Sequence, residues 1–256
     1  PWPAYVRQLL NIPTTQGFAH SLWALHYPTP APSILLQAAP VHLQLSQNHA
    51  RVLDHTALQL SLEDAQRLCA DLNHFFAEDG WVFYAPQPQQ WFLSLPKAYQ
   101  VDYLPLDDFI GQDAPALSVT GIDAMRWQAK MTELQMFLYT HPINAKRESQ
   151  GQLSVNSVWA WSESQTKSAP HIPPNTHFYT NNSLLKALLH DKGACHALPN
   201  SVEQLLQACT SPCLTLVLDD LIAAQNYGDY DSYQQHIQQL EHIWLAPLLC
   251  ALWRQD

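Results

Sequence analysis

The chain has 256 residues, 47% hydrophobic and 11% aromatic but only 13% charged, against about 25% charged in an average soluble domain. Lys and Arg number 12 against 22 Asp and Glu, a net charge of −10, which argues against nucleic acid as partner, since that needs clustered cations to displace counterions. The apolar content excludes an intrinsically disordered chain, and only 7 glycines count against a loop that cradles phosphate by close backbone approach.

Residues 18–27 alternate in part and read as a strand, followed by a proline-rich loop from Pro28 to Pro32. Val41–Leu45 alternates apolar with polar, the period of a half-buried strand, and Asn48 marks a turn toward Arg51–Asp54. Ser61-Leu-Glu-Asp64 is a capping box in outline. It opens a helix to about Ala77 with Leu62, Ala65, Leu68, Cys69, Leu72 and Phe76 along its stripe. Trp81–Tyr84 and Trp91–Leu95 read as a hairpin across Pro86-Gln-Pro88, and residues 96–120 as a crossing loop. A second helix is expected from Gly121 to Tyr139 with Ile122, Met125, Ala129, Leu134 and Leu138 inward, stopped by His141-Pro142. Leu153–Trp161 reads as a strand and residues 162–176 as a loop. Asn182–Leu189 and Ser201–Cys209 read as short helices, the first closed at Gly193, and Ser232–Trp244 as a longer one. Leu214–Leu218 is a continuous apolar run of strand length. Strands alternating with helices in the last third suggest a parallel α/β sheet.

No apolar run approaches the roughly 18 residues needed to span a bilayer, and no basic segment with an apolar stretch opens the chain as in a secretory leader. Five cysteines (69, 195, 209, 213 and 250) lack regular spacing, the pattern of a reduced, cytoplasmic protein. No membrane partner is expected.

The segment from Glu133 to Arg147 is the most unusual in the chain. A helix ends and His141, Asn144 and Arg147 follow within seven positions, then Gly151 and a strand bearing Asn156. Helix-to-strand junctions are where α/β folds place ligand-facing groups, and a guanidinium can grip a phosphate or carboxylate. The structural alternative is that Asn144 and Asn156 tie down loop backbone while Arg147 pairs with Glu148 or Glu133. His171, His177, His190, Cys195 and His196 show no metal-ligand spacing. Asp219 and Asp220 follow an apolar strand, a position that suits metal-binding carboxylates, but no histidine completes a set before Asp229. No Gly-x-Ser-x-Gly elbow is present. Trp159 and Trp161 share one strand face, suited to stacking on a ligand or packing under a helix.

The run Leu138-Tyr-Thr-His-Pro-Ile-Asn-Ala-Lys-Arg147, with Gly151 and Val155-Asn-Ser-Val-Trp-Ala-Trp161, resembles proteobacterial proteins described as RpfE-type regulators or as cofactor-independent phosphoglycerate mutase-like proteins. The resemblance covers roughly residues 40–253 and takes in Pro40-Val-His-Leu, Asp54-His, Leu72-Asn-His-Phe75, Asp79-Gly80, Trp91, Leu240-Glu241, Trp244 and Pro247-Leu248. The junction is also similar to that of the archaeal-type mutases of the alkaline phosphatase superfamily, which use two metals and a Ser or Thr nucleophile. That likeness implies a mostly parallel α/β sheet flanked by helices, with residues 1–44 and 121–256 as core and 45–120 as a small inserted α+β subdomain.

The departures concern chemistry. Ser162-Glu163-Ser164 stands where the family has a glycine turn, Asn226 near the place of a metal-binding His ahead of Gly228-Asp229, and no first metal motif opens the chain. An amide does not replace imidazole as a metal donor. The sequence therefore reads as a non-catalytic mutase-like scaffold without cofactor. His141, Asn144, Arg147 and Asn156 hold a residual pocket or brace the junction, with a protein or a small anionic ligand as partner. The alternatives are a metal-dependent phosphomutase or phosphatase with a rearranged site at Asp219, Asp220 and Asp229, and a protein-interaction subunit of a larger complex.

Overall fold

The computed structural model describes residues 2–12, 18–45, 50–110, 113–114, 119–161, 172, 175–209 and 213–253. The chain divides into two compact units, residues 1–5 with 13–168, and residues 6–12 with 169–256. A short helix α1 (Trp2–Leu9) opens it.

In the first unit, α2 (Ala19–His26) occupies the segment expected as a strand. Ala19, Leu22 and Trp23 are its buried residues, an i, i+3, i+4 spacing that only a helix puts on one face. The long strand β1 (Leu35–Leu45) pairs antiparallel with β2 (Ala50–Leu53), β4 (Trp91–Ser94) and β6 (Ser157–Trp161). β3 (Val82–Tyr84) and β5 (Asp113–Ala114) extend the sheet to the order β3-β4-β1-β2-β5, with β6 beside β1. Every ladder here is antiparallel, which corrects the expected mostly parallel sheet. The physical reason is local: β3 and β4 are joined by a short proline turn, a connection only antiparallel strands accept. Residues 45–120 lie wholly within this unit, with β2, β4 and β5 part of its sheet.

Helices α3 (His55–Leu58) and α4 (Leu62–Phe75) follow β2. The Ser61 N-cap forms as expected, with Ser61 Oγ accepting from the Asp64 N–H at 3.0 Å. Ala65, Leu68, Cys69 and Leu72 face the core. There Phe76 stacks on Trp81 at 5.1 Å, and Trp81 meets Trp127 at 5.5 Å. Trp127 belongs to α5 (Ala124–Tyr139), whose buried residues are Trp127, Leu134 and Leu138. The expected inward Ile122 and Met125 are instead 86% and 87% exposed, because the large indole sets the helix's rotation. Gly121 precedes α5 at φ +121°, where any Cβ would overlap the Gln100 carbonyl oxygen. After α5 a second helix begins at once, α6 (Pro142–Ser149), with Pro142 in its first turn.

The second unit carries the parallel pairing. β7 (Thr176–Thr180) lies between β8 (Cys195–His196) and β9 (Cys213–Val217), both parallel to it. β7 and β8 fall in stretches that sequence patterning does not mark as strands. The connections run through α7 (Ser183–Leu189) and α8 (Val202–Ala208). Beyond β9 come α9 (Leu221–Tyr227), α10 (Tyr230–Leu240), a π-helical turn Glu241–Leu245, and α11 (Ala246–Trp253). Trp244 in the π turn packs with Tyr179, Val202 and Leu205 as this unit's small core. No helix among the described residues is long and apolar enough to cross a membrane.

Candidate functional site

The junction in the first unit gathers all four residues singled out there, and each spends its polar atoms on the fold. His141 caps α6: its Nδ1 accepts from the Ile143 N–H at 3.2 Å. A nitrogen that accepts cannot also carry the proton, so Nε2–H donates to Asp71 Oδ2 at 3.2 Å. Arg67 Nε reaches the same oxygen at 2.9 Å. Arg67 first, and His141 after it, hold the Asp71 carboxyl below the usual carboxylate range.

Asn144 and Arg147 lie three apart on the buried face of α6, each 2% exposed. The Asn144 amide donates to the carbonyls of Leu138 and Val155, both at 2.8 Å, and accepts the Val155 N–H at 2.8 Å. Arg147 Nε donates to the Leu153 carbonyl at 2.9 Å, and one of its terminal nitrogens donates to the Leu58 carbonyl. Neither Glu133 nor Glu148 pairs with it among the described residues; Glu133 pairs with Lys130 at 2.9 Å. Burial lowers the guanidinium from its ordinary value, opposed by the attraction of Asp64.

Asn156 accepts the Leu43 N–H at 2.7 Å and donates to the Leu43 carbonyl at 3.0 Å. It sits just beyond the last β1–β6 pair, Val41 with Ser157, where a primary amide continues the ladder in place of backbone. Asn73, quoted in the sequence only as part of the Leu72–Phe75 run, clasps Phe83 in the same way, at 2.6 and 3.0 Å. The indole of Trp159 donates to the Leu104 carbonyl at 2.8 Å and lies 5.5 Å from Phe109.

The acidic residues lie in the second unit, Asp219 and Asp220 just after β9 and Asp229 at the start of α10. Asp219 Oδ2 accepts from Asn182 Nδ2 at 2.7 Å, while Asn182 also caps α7 through the Leu185 N–H at 3.1 Å. Asp229 caps α10 through the Ser232 N–H at 3.1 Å, and its bonds to Ser232 lower its carboxyl from the ordinary value. Asp220 precedes α9 but makes no side-chain cap bond. It lines a recess together with His236 and Gln239, residues that carried no signal in the sequence because they lie beyond the next helix. His177 and His196 meet at 3.0 Å across β7 and β8. His171 and the Ser162-Glu163-Ser164 turn lie outside the described residues.

A two-metal centre of the mutase kind needs several carboxylates and imidazoles converging within about 2 Å of each ion. These donors do not fit one: Asp219 and Asp229 are committed to different helix starts, and Asp220 forms no ion pair with His236. Among the described residues no group of three or more His, Cys, Asp or Glu could hold a metal ion.

Comparison with known proteins gives distant structural similarity alone. No family model matches the chain, and no curated protein sequence does. A cofactor-independent phosphoglycerate mutase from Thermoplasma acidophilum DSM 1728 is 14% identical with a TM-score of 0.37, over 82% of this chain and 61% of that one. The PH0037 protein from Pyrococcus horikoshii is 11% identical with a TM-score of 0.43, over 90% and 59%. The chain thus spans about three fifths of the length of each.

Proposed function

We propose that the chain acts by binding, as a non-catalytic, regulatory scaffold of the kind the RpfE-type and mutase-like resemblance suggests. One observation carries this reading. The junction that most resembles a mutase is spent on backbone: His141, Asn144, Arg147 and Asn156 make eight hydrogen bonds to main-chain groups of residues 43, 58, 138, 143, 153 and 155. A catalytic group must present a free donor, acceptor or lone pair to the reacting atoms; here those groups tie α6 to α3, to the end of α5 and to residues 153–155, and Asn156 to β1.

The test is turnover. Purified chain incubated with 2- or 3-phosphoglycerate, and separately with p-nitrophenyl phosphate, in the presence of manganese or zinc is expected to give rates equal to buffer. Turnover abolished by alanine at Asp219, Asp220 and Asp229 together would overturn the reading in favour of a metal-dependent phosphotransfer enzyme.

A further inference from the structure

We infer that the outer face of α5 is the contact surface of a symmetric dimer, its partner a second copy of this chain lying antiparallel along it. One face of α5 buries Trp127, Leu134 and Leu138. On the opposite face a second stripe runs the length of the helix, Met125, Ala129, Thr132, Met136 and Tyr139, with Ile122 in the turn just ahead, and all six are exposed. Ile122, Met125, Met136 and Tyr139 are 86%, 87%, 68% and 85% exposed. Large apolar side chains exposed singly are ordinary, but a contiguous line of them marks a surface that another molecule covers.

Spacing decides the kind of partner. The stripe steps by 3, 4, 3, 4 and 3 residues, the alternation of a and d positions in a heptad, which keeps one seam of a helix against a second helix. Ala129 and Thr132 are small and sit at its middle, where they let two helix axes approach closely. The methionines on either side are flexible enough to fill the wider space beyond them.

Charge decides the partner's identity and direction. One flank of the seam, the e positions, carries Arg126 and Glu133, and the other flank carries Gln128 and Gln135. A two-fold axis midway between Ala129 and Thr132 sets Ala129 opposite Thr132 of the second copy, Met125 opposite Met136, and Ile122 opposite Tyr139. The same rotation brings Arg126 of each copy beside Glu133 of the other, and Gln128 beside Gln135. One patch thus supplies both halves of the match, as an isologous contact requires. A parallel pair would instead set e beside g, placing Arg126 and Glu133 against glutamines. Within the chain Arg126 pairs with Asp123 at 3.3 Å and Glu133 with Lys130 at 2.9 Å, yet their side chains stay 66% and 46% exposed. Such surface pairs are weak, so both heads can add a contact across the axis. The 16 residues of α5 give a seam about 24 Å long, which places the contact in the small, concentration-dependent class.

The experiment is sedimentation of the whole chain from about 1 μM to about 500 μM, the range of a contact this small. The mass is expected to rise from 29.0 kDa toward twice that value. Met136→Lys, at an exposed position, should keep the chain monomeric over that range with an unchanged circular dichroism spectrum. Arg126→Glu and Glu133→Arg each set like charges across the axis and should each weaken association roughly fivefold or more. An equimolar mixture of those two variants restores both opposite-charge pairs and should associate within about twofold of the unaltered chain. A chain monomeric throughout, association indifferent to Met136→Lys, or a mixture no tighter than its two components would each overturn the proposal. Phosphoester turnover bears on the binding role alone, so the two readings fail separately.

Discussion

In the first unit, three asparagines and an arginine turn inward and bond to main chain, whereas in the second the polar groups at the sheet's carboxyl end cap helices or stay uncommitted. The aromatic core shows the same contrast. Phe76, Trp81, Phe83, Trp91 and Phe92 are all at most 2% exposed in the first unit. In the second, α10 and α11 bury no residue, and Leu249, Leu252 and Trp253 are 57%, 62% and 82% exposed. The difference teaches where each unit's polar groups serve. A buried amide whose bonds are satisfied rigidifies its surroundings, while polar groups that stay in contact with water constrain theirs less.

Asn144→Ala tests that contrast most severely. It leaves the Val155 carbonyl and N–H without the Asn144 amide, at about 1–3 kcal/mol for each unsatisfied group, while the Leu138 carbonyl keeps the His141 N–H. A loss on the order of 4 kcal/mol is therefore expected by urea denaturation, with hydrogen exchange rising in residues 138–161 and unchanged in residues 176–217. An equal rise in both would break the distinction between the units. Asn182→Ala, which removes the α7 cap and the Asp219 bond, is expected to cost only about 1 kcal/mol, the usual cost of losing a helix N-cap.

Acid should act on the first unit through Asp71. Its carboxyl titrates lower in the folded chain than when unfolded, so the unfolded state binds more protons as pH falls. The stability it contributes is present above the ordinary carboxylate value of about 4 and is lost as pH drops through its lowered folded value. Asp71→Asn should flatten that part of the stability–pH curve. His141 would keep an amide oxygen as its partner, so a steeper curve would contradict the assignment.

The smallest effect is in thiol reactivity. Burial pushes the Cys69 thiol well up, while Cys213 and Cys250 are exposed. Timed labelling with a disulfide reagent should modify Cys213 and Cys250 first and Cys69 only on unfolding. Early labelling of Cys69 would mean that the first unit opens more readily than its packing implies.

Much of the local structure was legible in the residues. The Ser61 N-cap, the β3–β4 hairpin, the stop at His141-Pro142 and the Gly193 closure all depend on neighbours in sequence, and each forms. The stripe of α5 was misread because Ile122 and Met125 fit a helical period as well as Trp127 does, and only the facing Trp81 and Tyr103 select the indole. The candidate site divides along the same line. His141, Asn144, Arg147 and Asn156 stood out in the sequence, but their partners Asp71, Leu58 and Leu43 lie 70, 89 and 113 positions away. His236 escaped notice for the same reason.

By itself the sequence determined the composition of the surface, the helix starts and stops, and the concentration of polar residues at one junction, because these follow from side-chain chemistry within about one turn of helix or one hairpin. Tertiary structure alone decided that the main sheet is antiparallel, that the junction's polar groups turn inward to bond backbone, and that Asp220 faces the same recess as His236. Strand partners and buried hydrogen bonds are chosen by elements far apart in the chain, and no local period records which of them will meet.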